Sequence, residues 1–135
     1  MLEAFIFLSG RLGRLAYFGY SILFALVLGL IAAILILPTR NSPNGGTVLI
    51  VAVIIISVIA IWGGIALSVK RLHDLDMSGW HYVWMILAPG MLQGFGKVFE
   101  IPMLSIVGGL ISLGVWVYLQ FWPGTPGSNR FGYQP

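Results

Sequence analysis

The chain has 135 residues, of which 59% are hydrophobic and only 8% charged, with a formal net charge of +3 and a mean hydropathy of +0.98. A water-soluble domain of this size needs roughly a quarter of its residues charged to cover its surface, so the composition excludes an ordinary soluble fold and makes lipid the solvent. The length is that of a single domain, residues 1–135. Its basic residues are spread over short connectors instead of one stripe, which argues against nucleic acid as a partner. With no cysteine there is no disulfide, thiol nucleophile or thiolate metal site.

Residues 1–16 begin apolar and turn basic at Ser9-Gly10-Arg11-Leu12-Gly13-Arg14. A secretory signal has the opposite order, charge before the apolar region, and a cleavage site after it. The first six to eight residues are therefore expected to lie in the membrane interface, with Arg11 and Arg14 at the cytoplasmic edge. Tyr17 to Leu37 is an uninterrupted apolar run of about 20 residues, enough to cross a ~30 Å hydrocarbon core. Turn chemistry from Pro38 to Gly46 ends it.

A second span is predicted over about 48–69. Its Ile and Val content would suggest a strand in water, but its length and lack of alternation indicate a membrane helix, stopped by Lys70 and Arg71. The third span, about 80–95, is read as a short helix kinked at Pro89, since proline removes one backbone hydrogen bond; a re-entrant half-helix is the competing reading. After a brief turn at Lys97 to Glu100, a fourth span covers about 102–122, followed by a polar, broken tail over 123–135. The expected fold class is an all-α, integral membrane four-helix bundle.

Four spans place both termini on one side. Arg11, Arg14, Lys70, Arg71 and Arg130 share that side, and Arg40 and Lys97 take the other, so the positive-inside bias puts the termini and the Lys70–Trp80 connector in the cytoplasm. Tyr17, Phe18, Tyr20, Trp80, Tyr82, Trp84, Trp116, Tyr118, Phe121 and Trp122 belong to the same half and read as an anchor at the inner headgroup level. Small-residue spacings (Gly29/Ala33, Ala60/Gly64, Gly64/Ser68, Ser105/Gly109, Gly108/Ser112) favour close helix approach, within one bundle or between copies.

No Asp, Glu, Lys or Arg falls inside a predicted span, and His81 sits beside Trp80 at the interfacial start of the third; the polar groups deeper in are Ser21, Ser57, Ser68, Gln93, Ser105, Ser112 and Gln120. That argues against a proton- or ion-coupled transporter. Chemistry is confined to the cytoplasmic edge. If the helix continues to Leu75, Asp74 lies one turn from Lys70 and Arg71, and Ser78 is placed to cap the third helix.

Two readings of this cluster stand side by side. In one, the arginines pair with Asp74, Asp76 and loop carbonyls and lock the helix ends together. In the other, surplus cationic groups and helix-terminal N–H groups bind an anion, a phospholipid headgroup or a phosphorylated metabolite, with His73 beside Asp74 as an acid or base. No zinc-spaced His/Glu pair, Gly-x-Ser-x-Gly elbow or Walker-type loop is present, so neither a metal nor a cofactor is expected.

Three segments carry a resemblance: Gly10-Arg11-Leu12-Gly13-Arg14 followed by aromatics, Lys70-Arg71-Leu72-His73-Asp74 followed by Ser78-Gly79-Trp80, and Gly124-Thr125-Pro126-Gly127-Ser128-Asn129-Arg130-Phe131-Gly132. In this order they resemble the bacterial inner-membrane family catalogued as domain of unknown function 805. Lys70 stands where that family usually has Arg, and Phe131 where Tyr is common.

The resemblance implies a small multi-span protein of the bacterial cytoplasmic membrane, and implies that Arg11, Arg14, Arg71, His73, Asp74, Ser78, Gly79, Trp80, Asn129 and Arg130 form one unit. With Lys70 added on charge grounds and Gly79 left out, this set is the candidate anion or lipid-headgroup site, or structural network. The expected role is a non-enzymatic accessory or interaction module that engages anionic lipids, a membrane-protein partner or a second copy of itself. A homo-oligomeric channel or small-solute transporter is the alternative, and an enzyme acting on lipid headgroups a further one.

Overall fold

The computed structural model describes residues 8–41 and 44–133, with backbone alone at 40 and 41. The expectations for residues 1–7, for the Arg40 side chain and for Gln134 and Pro135 lie outside the described residues. Four α-helices account for most of what is described: α1 (Arg14–Ile36), α2 (Gly45–Asp74), α3 (Trp80–Val98) and α4 (Pro102–Phe121). A 3-10 turn, Leu37–Asn41, follows α1. Among the described residues there is no β-strand, and the tail carries one isolated bridge between Asn129 and Gly132.

Each boundary has a local cause. Gly13 precedes α1 in an extended conformation, and no side chain caps the helix. Pro102 opens α4, where its fixed φ suits the first turn and its missing N–H costs nothing. α2 ends in a left-handed closure: Asp76 has φ 57°, Met77 N–H donates to Leu72 O at 2.8 Å and Asp76 N–H to His73 O at 3.1 Å. α3 ends in a similar way at Glu100 (φ 55°), with Ile101 N–H donating to Gly96 O at 2.8 Å.

Among the described residues three helices are long and apolar enough to cross a membrane: α1, α2 and α4. α2 has 30 residues, about 45 Å at helical rise, well beyond the ~30 Å hydrocarbon thickness. Lys70 and Arg71 therefore do not stop it; the helix continues through Asp74. α3, with 19 residues, runs on to Val98 and contains Pro89 without a break in its helical assignment.

α1 packs on α2, and α3 packs on α4 more extensively still, so the molecule is two helical hairpins in narrower mutual contact. In the α3–α4 hairpin, a Cβ on Gly108 would lie 2.7 Å from Pro89 O, and one on Gly96 would lie 2.6 Å from Ser105 N. Ser105 Oγ donates to Gln93 O at 3.3 Å and Gln93 Nε2 to Ser112 Oγ at 3.1 Å, which stitches the same interface. Not every expected spacing is used: Gly29, Gly64 and Gly109 approach nothing, whereas Gly63 sits against the Phe24 ring.

The hairpins join at one end. There Leu12, Tyr17, Leu67, Leu72 and Leu119 form the buried core, flanked by Tyr82, Met85 and Tyr118, and the Tyr17 hydroxyl lies 3.2 Å from Ser68 Oγ. Tyr17 is thus a core residue, not a lipid-facing anchor. Trp80, Trp84, Trp116, Phe121 and Trp122 are exposed and suited to that role.

Two substitutions test this packing. Gly108→Val puts side-chain atoms where α3 backbone lies, and is expected to cost about 1–3 kcal/mol, read as a lower thermal midpoint in detergent. Glu100→Gly relieves a left-handed non-glycine residue and should raise stability by about 1 kcal/mol in the same assay.

Candidate functional site

α2 runs past the apolar layer by more than a turn, and this extension carries Lys70, Arg71, His73 and Asp74. Its terminal carbonyls and their partial negative charge need donors. The chain before α1 and the tail after α4 supply them. Thr125 N–H and Thr125 Oγ1 both donate to Asp74 O, at 2.8 and 3.0 Å. Asn129 Nδ2 donates to His73 O at 2.8 Å and to Thr125 Oγ1 at 2.9 Å, while Leu12 N–H donates to Lys70 O at 3.1 Å.

At the centre is the Asp74 carboxylate, held between two guanidinium groups. Arg11 donates to Oδ1 from Nε at 3.1 Å and from NH2 at 2.9 Å; Arg71 donates to Oδ2 from NH1 at 2.6 Å. The three side chains are at most 5% exposed. Two cations against one anion leave a positive excess, and backbone carbonyls absorb it. Arg11 also donates to Thr125 O at 2.7 Å, Gly127 O at 2.5 Å and Gly132 O at 3.4 Å. Arg71 donates to Leu119 O at 2.8 Å and to Trp122 O, so a side chain of α2 caps the C-terminus of α4. A Cβ on Gly124 would collide with the Asp74 carboxylate, which accounts for glycine there.

The remaining members of the predicted set are placed unevenly. Lys70 is buried. His73 lies on the rim, its Nδ1 3.1 Å from Gly10 O and its ring stacked on Phe131 at 4.0 Å. It does not pair with Asp74, both of whose oxygens face arginines; the adjacent His-Asp acid–base pair is not formed. Arg130 pairs with Asp76 at 3.1 Å in the open, with its guanidinium 5.0 Å from the Phe131 ring centre. Arg14 is exposed and stands outside the knot.

Trp80 also stands apart, 75% exposed. Ser78 does not occupy the cap position expected of it. Gly79 does, with no side-chain capping bond, and Ser78 Oγ is 3.5 Å from Trp80 N. Gly79 is instead fitted against Val69. Thr125 and Gly124 complete the knot and were not in the predicted set. Their signal was positional, since both belong to the Gly-Thr-Pro-Gly segment, but neither carries charge.

Among the described residues no cluster of His, Asp and Glu could hold a metal ion. The knot can therefore fix geometry and present charge; its internal valences are spent on the chain itself.

A family model described as "Protein of unknown function (DUF805)" matches residues 5–133, taking in all three segments that build the knot. The chain belongs to this family. It is also similar to the "Uncharacterized protein YiiR" of Escherichia coli strain K12 and of Escherichia coli O157:H7, each 39% identical over an alignment of 83 residues, with 53% of this chain and 52% of the relative covered. The chain thus spans about half the length of the curated relatives it matches. No solved structure matches.

The knot makes a sharp energetic prediction. Asp74→Asn strands two buried guanidinium groups without their counter-charge and should cost about 3–5 kcal/mol. Arg130→Gln removes an exposed pair and should cost at most about 1 kcal/mol. Thermal unfolding of the two variants in one detergent, followed by circular dichroism, checks the contrast.

Proposed function

We propose that this small membrane protein acts without catalysis in the bacterial cytoplasmic membrane, as an accessory module that presents a fixed polar end to phospholipid headgroups and membrane partners. The observation that carries the reading is the division of labour among the arginines. Arg11 and Arg71 are consumed by Asp74 and backbone carbonyls, while Arg14 and Arg130 face outward at the same end. A locked interior behind outward cations suits recognition of an anionic surface. The orientation follows from charge: the end that gathers most of the basic residues belongs on the cytoplasmic side.

A second reading, small-solute transport, draws on a cleft of about 320 Å³ between the hairpins that includes Ser68, Tyr82, Gln93 and Ser112 in its lining. Hydroxyls and amides at that depth suit an uncharged solute, and flux into loaded proteoliposomes is its direct test.

The absence of cysteine allows single-cysteine labelling on an otherwise unreactive chain. Ser128→Cys should react with an impermeant maleimide only after spheroplasts are permeabilised, and Lys97→Cys before. Purified wild-type protein should retain anionic phospholipid in native mass spectrometry. Reversed labelling, or a protein that retains no phospholipid, would overturn the proposal.

A further inference from the structure

The first turn of α1 and the last turn of α4 enclose a cavity of about 310 Å³ lined by Arg14, Leu15, Phe18, Gln120 and Phe121. Nothing in the knot uses it. Three of its features do not fit a passive gap between helices. No side chain caps α1, so the N–H groups of its first turn keep their partial positive charge. Arg14, in that same turn, is exposed and has no hydrogen-bond partner or ion pair among the described residues. Gln120 is only 5% exposed, and its Oε1 has no hydrogen-bond partner among the described residues. A buried amide oxygen without a donor costs roughly 1–3 kcal/mol, and native structures rarely leave one so.

The lining asks for a molecule with two polar features. An oxyanion suits the Arg14 guanidinium and the helix N-terminus. A hydrogen-bond donor close to that oxyanion suits Gln120 Oε1. A phosphate ester bearing an ammonium or hydroxyl group has both. The rim decides the source: Leu15, Phe18 and Phe121 are 81%, 42% and 60% exposed, on helices apolar enough to span a membrane, and they offer apolar surface to a glycerol backbone and acyl chains. We propose that this cavity holds the head of one phospholipid, its phosphate on Arg14 and the first turn of α1, and a donor of its headgroup on Gln120. The site rests on the lipid-engaging role proposed above and assigns it to residues outside the Asp74 knot.

The test is a competition in native mass spectrometry. Full-length protein in detergent is titrated with phosphatidylglycerol, phosphatidylethanolamine and phosphatidylcholine of matched acyl chains. Phosphatidylcholine keeps the phosphate but has no N–H or O–H donor on its head. Wild type should hold the first two about tenfold more tightly than the third. Gln120→Leu should remove that discrimination while keeping phosphate-dependent binding. Arg14→Gln should weaken all three about tenfold, and its exposed position spares the fold; circular dichroism checks both variants.

If Gln120→Leu fails to fold, Gln120→Glu reads the same contact, since its carboxylate should repel phosphatidylglycerol more than phosphatidylethanolamine. Discrimination that survives in the Gln120 variant, or binding undiminished in the Arg14 variant, overturns the subsite alone. Wild type that retains no phospholipid overturns the broader role as well. Displacement of lipid by glycerol phosphate at equal concentration overturns the lipid as the source of the phosphate.

Discussion

One carboxylate organises the ordered end of this molecule. Asp74 meets Arg11 through Oδ1 and Arg71 through Oδ2, and so ties the segment before α1 and the C-terminus of α4 to the end of α2. In water such pairs would contribute little, because exposed charges are screened and well solvated. Here the three side chains are all but sealed, where separation of charge is costly and the geometry is correspondingly restrictive. The excess positive charge is met by carbonyls of Leu119, Trp122, Thr125 and Gly127. Those carbonyls have few other options. Near a bilayer, backbone acceptors that lack a partner are expensive, and two of the four belong to the end of α4.

The result is reciprocal capping. The tail satisfies the last carbonyls of α2 through Thr125 and Asn129, and α2 satisfies those of α4 through Arg71. Asn129 closes on itself as well, accepting from Phe131 N–H at 2.9 Å and bridging to Gly132. A polar tail of this composition has no apolar face with which to fold, so hydrogen bonds to helix ends supply its order. Below the knot lies the aromatic and aliphatic core around Tyr17, Leu72 and Leu119. Farther along, the two hairpins face lipid with Leu, Ile and Val, as helices in a membrane do.

Much of this was legible in the residues, and for identifiable reasons. Apolar runs of about 20 residues reveal themselves because the bilayer sets their length, so three of the helices could be read directly. The end of α2 could not, because Lys70 and Arg71 mark where the apolar layer stops and not where the helix stops; the helix continues through Asp74 and is closed by the left-handed turn at Asp76. Glycine spacing indicated that helices approach closely without telling which glycines do. Gly63 packs against Phe24 while Gly64, one residue on, meets nothing, and only the rotation of the helix distinguishes them. In the knot, charge drew attention to Arg11, Arg71 and Asp74. Thr125 and Gly124 escaped it, one a neutral donor and the other a residue whose contribution is the space it leaves for Asp74.

Charge counting also misstates what this end of the protein offers to a partner. Arg11, Arg14, Lys70, Arg71 and Arg130 all belong to it, yet burial removes Arg11, Lys70 and Arg71 from the surface, and Asp76 partly offsets Arg130. The outward field is therefore carried by few groups at fixed positions. Arg14 is held at the start of α1, next to a segment pinned by Arg11 and by the Leu12–Lys70 hydrogen bond. A cation on a tethered helix end loses less freedom on meeting a phosphate than one on a loose tail would. By spending two arginines on internal order, the knot gives Arg14 a defined place to stand, and in the proposed recognition of lipid it would act without touching the ligand.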